Sequence, residues 1–158
     1  RVAHDRRWTT VLAVDPPRAR GARFWPDEFA RRPQCRGDLG ERMRDQFRQA
    51  GQGCAVLIGS DIPRVSAHLV AKAFAALHSH DAVFGPAEDG GFWLVGLRAG
   101  YRPTQAFKGV RWSGPHALED SRASLAACQI ALIDTLFDVD EVADWRRWRS
   151  LPLIGEAR

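Results

Sequence analysis

The run Cys54-Ala55-Val56-Leu57-Ile58, followed by Gly59-Ser60-Asp61-Ile62-Pro63, decides the reading of this chain. An apolar, β-branched stretch ending in glycine predicts a strand buried within a parallel sheet. In open α/β sheets, ligands gather beyond the carboxyl ends of the strands, which puts Asp61 at the mouth of a site. A carboxylate there suits Mg²⁺, an ion that takes one or two carboxylates and completes its shell with water and phosphate oxygens. The same aspartate has a purely structural reading as a turn residue or helix N-cap ahead of proline.

Working outward, Trp8 to Val14 reads as a strand closed by Asp15-Pro16-Pro17, and residues 18 to 37 as a long connection without periodicity. Asp38 opens a helix carrying Leu39, Met43, Phe47 and Ala50 at helical spacing, with Glu41 placed for a capping box. Gly51-Gln52-Gly53 ends it. After the opening strand come a helix over about 66 to 78, a strand from Asp81 to Gly85, and the turn Glu88-Asp89-Gly90-Gly91. A buried strand from Phe92 to Leu97, a helix over about 114 to 127, a strand from Gln129 to Ile133 and a last helix over about 141 to 148 complete the order. Strands alternating with helices predict an α/β protein, helices on both faces of a mostly parallel sheet. No linker or repeat divides it, so residues 1–158 are expected to form a single domain.

At 158 residues, 45% hydrophobic and 27% charged, the chain is an ordinary candidate for one packed core. No apolar run approaches the length of a membrane span, and no secretory segment opens the sequence. A cytoplasmic setting is expected, with Cys35, Cys54 and Cys128 as reduced thiols, since they are odd in number and form no C-x-x-C pair. The net charge of +4 comes largely from arginine and would assist an anionic substrate such as a nucleotide diphosphate. No dense basic run interleaved with aromatics points to nucleic acid.

Four segments with acidic residues or glycines fall at predicted strand ends or helix starts: 37–41, 59–63, 88–91 and 138–140. In a parallel sheet such ends converge, so Asp61 with Asp138 or Asp140 would meet the needs of a divalent cation. Helix first turns attract acidic residues without any ligand, which is the structural reading of Asp138 and Asp140. Gly90-Gly91 is a tight turn or a place for close ligand approach. Glu88 beside Asp89 sets two carboxylates in one turn, where they repel unless a cation or partner intervenes. Trp112 and Ser113 neighbour that turn; the indole is either an aromatic wall for a sugar or base, or core packing. Neither an H-x-x-x-H pair nor a G-x-S-x-G elbow is present, so metalloprotease and serine-hydrolase chemistry lack support.

Three blocks in order, Gly37-Asp38-Leu39-Gly40-Glu41-Arg42-Met43, Leu57-Ile58-Gly59-Ser60-Asp61-Ile62-Pro63 and Gly85-Pro86-Ala87-Glu88-Asp89-Gly90-Gly91-Phe92-Trp93-Leu94-Val95-Gly96-Leu97, carry a family resemblance. Val110-Arg111-Trp112-Ser113 and the stretch from Asp134 to Asp140 extend it from about Trp8 to Trp145. The chain resembles a bacterial GT-A-like glycosyltransferase family, of the radical-SAM/selenodomain-associated transferase type, within the nucleotide-diphospho-sugar transferase superfamily. The resemblance implies a Rossmann-like GT-A fold, an α/β/α sandwich, binding a nucleotide-activated sugar or an NTP with Mg²⁺ or Mn²⁺. It implies metal contact at Asp61, Asp138 and Asp140, and catalytic placement of Asp61 and Asp89. Substrate contacts are implied at Gly59, Ser60, Glu88, Gly90, Gly91, Trp112 and Ser113. Glycosyl transfer is the first expectation. The alternatives are nucleotidylyl transfer on the same fold and a non-catalytic nucleotide-binding module. Members of that family begin with a strand and a basic, glycine-containing loop; nothing before Trp8 matches these, so the first strand and part of the nucleotide pocket are expected to be absent from this chain.

Overall fold

The computed structural model describes residues 2–101, 104–137 and 149. Two strands, β1 (Val11–Val14) and β2 (Ala30–Pro33), pair in parallel as one small sheet. The main sheet contains β3 (Ala55–Ile58), β4 (Ala82–Pro86), β5 (Phe92–Leu97) and β6 (Ile130–Leu132) in the order β3-β5-β4-β6. β5 runs antiparallel to β3 and β4, whereas β4 and β6 are parallel. This is the expected α/β class, and every pairing that does not involve β5 is parallel.

Helix α1 (Leu39–Gln49) begins where its sequence dictates. Asp38 accepts from the Glu41 amide at 2.7 Å while Glu41 accepts from the Asp38 amide at 2.9 Å, so two otherwise orphaned donors are satisfied. Its apolar side carries Met43 and Phe47 onto one face of the main sheet, against Ala82, Phe84, Val95 and Leu97. Helix α2 (Ala67–Ala76), capped by Ser66, covers the opposite face, where Ala73 and Leu77 pack on Val83, Trp93 and Leu94. The sheet is therefore covered on both sides, and each large side chain fully buried there contributes on the order of 1.5–3 kcal/mol. Helix α3 (Ala117–Ala123) is shorter than its sequence predicts, giving way to turns before β6.

Three expectations need correction. The stretch 18–37 is not a plain connection: it holds a 3-10 turn at Pro17–Gly21 and the strand β2. Its Ala-Arg-Arg-Pro sequence has no strand signature, and only pairing with β1 makes it one. Cys54 lies outside the core strand and is exposed. The third concerns β3, written entirely in apolar residues but standing at an edge, with Ile58 37% exposed. Among the described residues only β5 hydrogen-bonds to it, so one flank keeps its backbone groups open. The predicted helix over 141 to 148 falls outside the described residues, as do Asp138 and Asp140.

Candidate functional site

The register fixes which loops share an edge. Ile58 and Gly85 both stand opposite Leu94, and Phe84 stands opposite Leu132. The carboxyl ends of β3, β4 and β6 are thus level, and Gly59–Asp61, Ala87–Gly91 and Ile133–Phe137 all emerge there. Of the four segments expected to converge, 59–61 and 88–91 emerge at this edge; the strand register does not place 37–41 there, and Asp138 and Asp140 lie outside the described residues.

Gly59, Ser60 and Asp61 are exposed, and the Gly59 amide continues the ladder by donating to the Trp93 carbonyl at 3.0 Å. The Asp61 carboxylate folds back over Gly59: a methyl group added to Gly59 would stand 2.8 Å from its Oδ1. A side chain at position 59 would therefore push the carboxylate aside.

The 87–91 turn is heavily fastened. The Gly91 amide donates to Asp89 Oδ1 at 2.8 Å, and the Ala87 amide donates to the Gly91 carbonyl at 3.0 Å. The Glu88 amide donates to the Leu136 carbonyl at 3.1 Å, tying the turn to the segment after β6. From the other side, the Leu118 amide donates to the Gly90 carbonyl at 3.0 Å, tying it to α3. Gly90 has φ +90° and presses on Pro115. The Glu88 and Asp89 side chains remain exposed on this rigid base.

Ser113 is exposed beside this turn and adopts φ +60°, a left-handed conformation that a serine holds only under constraint from its surroundings. Trp112 is half-buried against the α1 side of the core, edge-on to Phe92 with centroids 6.3 Å apart. Its Nε1–H is shut off from solvent and donates to no acceptor among the described residues. Most of the indole is core packing, as the structural reading held.

A clamp holds this segment. Arg111 donates to Asp120 through its amide at 3.0 Å and through Nε and Nη2 at 2.8 Å each. Hydrogen bonds from the Arg111 guanidinium, aided by its amide, hold the Asp120 carboxyl well below the usual carboxylate range. A carboxyl depressed on folding stabilises the native state above its unfolded pKa, and the contribution is lost as pH falls through the folded value. We expect the Trp112 environment to stay constant from neutral pH down through the ordinary carboxylate range and to change only in stronger acid. Tryptophan emission of the parent minus that of Trp112→Phe checks this, and Asp120→Asn should show the acid signal already at neutral pH.

Sequence reading missed a second feature of the rim. Lys72 of α2 donates to Asp134 at 2.7 Å, and this bond lowers the Asp134 pKa. Asp134 also receives the Trp93 indole N–H on its backbone carbonyl at 2.9 Å. Lys72 is one of only two lysines in the chain, which marks it out, but a partner 62 residues away has no sequence signal.

For a divalent cation, the donor chemistry fits in kind: the rim offers exposed carboxylate oxygens, the hard ligands Mg²⁺ prefers. Among the described residues no three His, Cys, Asp or Glu side chains come close enough to form a metal cage.

Comparison with known proteins places the chain in a family and a fold. Residues 1–114 match the family DUF2064, described as an uncharacterized protein conserved in bacteria. The chain belongs to this family. A crystal structure from Desulfovibrio desulfuricans G20, described as a candidate nucleotide-diphospho-sugar transferase, superposes with a TM-score of 0.66 at 34% sequence identity. The match covers 84% of this DUF2064 chain and 59% of the other, so the chain spans about three-fifths of that protein's length. The fold is accordingly a GT-A-like mixed α/β fold of the nucleotide-diphospho-sugar transferase kind. No curated protein matches the chain. Among the described residues no helix is long and apolar enough to cross a membrane.

Proposed function

We propose that this DUF2064 protein belongs to a metal-dependent transferase that takes a nucleotide-activated sugar, of the radical-SAM/selenodomain-associated type. The observation that carries the reading is the convergence of Asp61, the Glu88–Gly91 turn and the Arg111–Pro115 segment around the carboxyl end of one GT-A-like sheet. In this reading residues 1–158 act as one domain. Asp61, with Asp138 and Asp140, would hold Mg²⁺ or Mn²⁺; when bound, the ion neutralises the charge that develops on the leaving diphosphate.

The chain's own residues supply position and electrostatics. Gly59 lets the Asp61 carboxylate lie close over the backbone, and the exposed Ser60 beside it would meet a diphosphate. Gly90 seats the turn against Pro115 and the Gly91 amide fixes Asp89, so the exposed Glu88 and Asp89 side chains would be presented to a sugar on a rigid base. Asp89, its Oδ1 already fixed by the Gly91 amide, is oriented to accept a proton from an incoming hydroxyl through its second oxygen. Ser113 and the edge of Trp112 would border the base or sugar. Such chemistry depends on fixed orientation more than on a covalent nucleophile.

Titration calorimetry with UDP- and GDP-sugars, with and without Mn²⁺, tests the proposal. Nucleotide binding should require the metal, and Asp61→Ala should weaken it about a hundredfold, the worth of one charged ligand at roughly 3 kcal/mol, while the circular dichroism spectrum is unchanged. Unaltered affinity in Asp61→Ala removes that residue from the site. Pyrophosphate release from an NTP with a sugar phosphate, in place of nucleoside diphosphate release, would assign nucleotidylyl transfer instead.

A further inference from the structure

The connection from β1 to β2 has a built tip that the rim does not use. Residues 17–26 contain Arg18, Arg20 and Arg23 and no acidic residue. The segment is stapled from within. Trp25 Nε1 donates to the Ala19 carbonyl at 2.8 Å, and Arg31 reaches the Arg20 carbonyl at 3.2 Å and the Pro26 carbonyl at 3.3 Å. Arg31 is itself neutralised by Asp27 at 2.8 Å. The staple tucks Trp25 in and turns its neighbour out: Phe24 is 73% exposed, its ring tilted against the indole at 4.7 Å. Arg18, Arg20 and Arg23 are exposed, and none has an ion-pair partner among the described residues.

We infer that this tip is a peripheral docking point for an anionic lipid surface, Phe24 entering the headgroup layer and the three arginines meeting lipid phosphates. An apolar ring that protrudes costs solvation in water and gains it at a bilayer interface, where aromatic side chains settle. Unpaired cations around it complete the match to negative headgroups. The shape favours lipid over the other polyanions. A nucleic-acid strand needs a basic groove with successive aromatic platforms. Here one ring stands free, and the second is held down by its own hydrogen bond. A bilayer interface asks for no complementary pocket.

Vesicle co-sedimentation of the 158-residue chain tests the inference, with phosphatidylcholine alone and with about one-third phosphatidylserine added. Binding should require the anionic lipid and fall with added salt. Each of Arg18→Gln, Arg20→Gln and Arg23→Gln should weaken binding about fivefold, and the three together about a hundredfold. Phe24→Ser should weaken it roughly tenfold by removing the inserted ring. A control of equal charge, Arg48→Gln, Arg98→Gln and Arg122→Gln combined, should lose much less. Equal loss in the control means net charge alone is at work and overturns the inference. So does binding that ignores Phe24→Ser, absence of vesicle binding, or tighter binding to a single-stranded oligonucleotide than to the vesicles.

Discussion

Gly90→Ala is expected to destabilise the protein by about 3 kcal/mol or more and to disorder the acidic turn with it. Two penalties coincide at this position. The backbone stands at φ +90°, where glycine is at ease and an L side chain is strained. The new Cβ would also lie 2.5 Å from Pro115 Cα and closer still to the Pro115 carbonyl oxygen. Those atoms are backbone and cannot swing away like a side-chain tip. Relief requires the turn and the Ser113–Pro115 segment to part, which strains the bond from the Leu118 amide to the Gly90 carbonyl. Urea denaturation should show a lowered midpoint with an unchanged slope. Gly91→Ala is the control that carries neither penalty: no left-handed φ is recorded there, and the nearest atoms to its Cβ would be those of the Asp89 carboxylate, from 3.1 Å. That variant should cost well under half as much. Equal costs would mean that neither the left-handed backbone nor the contact with Pro115 governs the turn.

How far the sequence announced this arrangement depends on the kind of signal each part leaves. The capping box of α1 is local, with donor and acceptor three residues apart, and it appears as written. The same holds for β4 and β5, whose apolar runs are long enough to be buried on both faces. β2 was illegible because Ala-Arg-Arg-Pro becomes a strand only through β1, a relation stored in tertiary pairing. β3 was legible as a strand and misread as to place. Its residues are composed for an interior position, free of the charges, prolines or bulges that usually guard an edge, although among the described residues one neighbour pairs with it. At the rim, the glycines and acids beside strand ends could be found because turn chemistry is written in residue type. The Lys72–Asp134 and Arg111–Asp120 pairs could not, since each joins separate elements and nothing in the sequence names either partner.

Gly85→Val should be comparably severe, for a reason that lies under the rim rather than on it. Trp93 is almost fully buried and crosses directly over Gly85 on the neighbouring strand; a Cβ at 85 would stand 2.6 Å from the indole Nε1 and 2.7 Å from Cζ2. The indole cannot simply tilt. Its N–H is committed to the Asp134 carbonyl, and its body fills the cluster with Leu77, Val83 and Leu94 beneath α2. Valine at 85 must therefore expel the ring or spread β4 from β5, and overpacking of this kind costs on the order of 1–3 kcal/mol before the broken hydrogen bond is counted. The loss of that bond leaves the Asp134 carbonyl without its indole donor and adds about 1 kcal/mol. The physical content of the claim is a coupling, so a double-mutant cycle is the proper measurement. Trp93→Leu alone should be destabilising, because it opens a cavity. In that background Gly85→Val should cost much less than in the parent, since the smaller side chain leaves room for the new one. Additive effects would show that the two residues do not compete for the same space. The consequence for the rim follows through Asp134: once the indole leaves its carbonyl, the segment after β6 loses an anchor, and the Lys72 ion pair and the bond from the Glu88 amide to Leu136 both rest on that segment. Crowding a buried glycine should thus loosen the acidic turn from below. In the parent background, faster amide exchange at Glu88 in Gly85→Val, with exchange in α1 unchanged, would demonstrate that route.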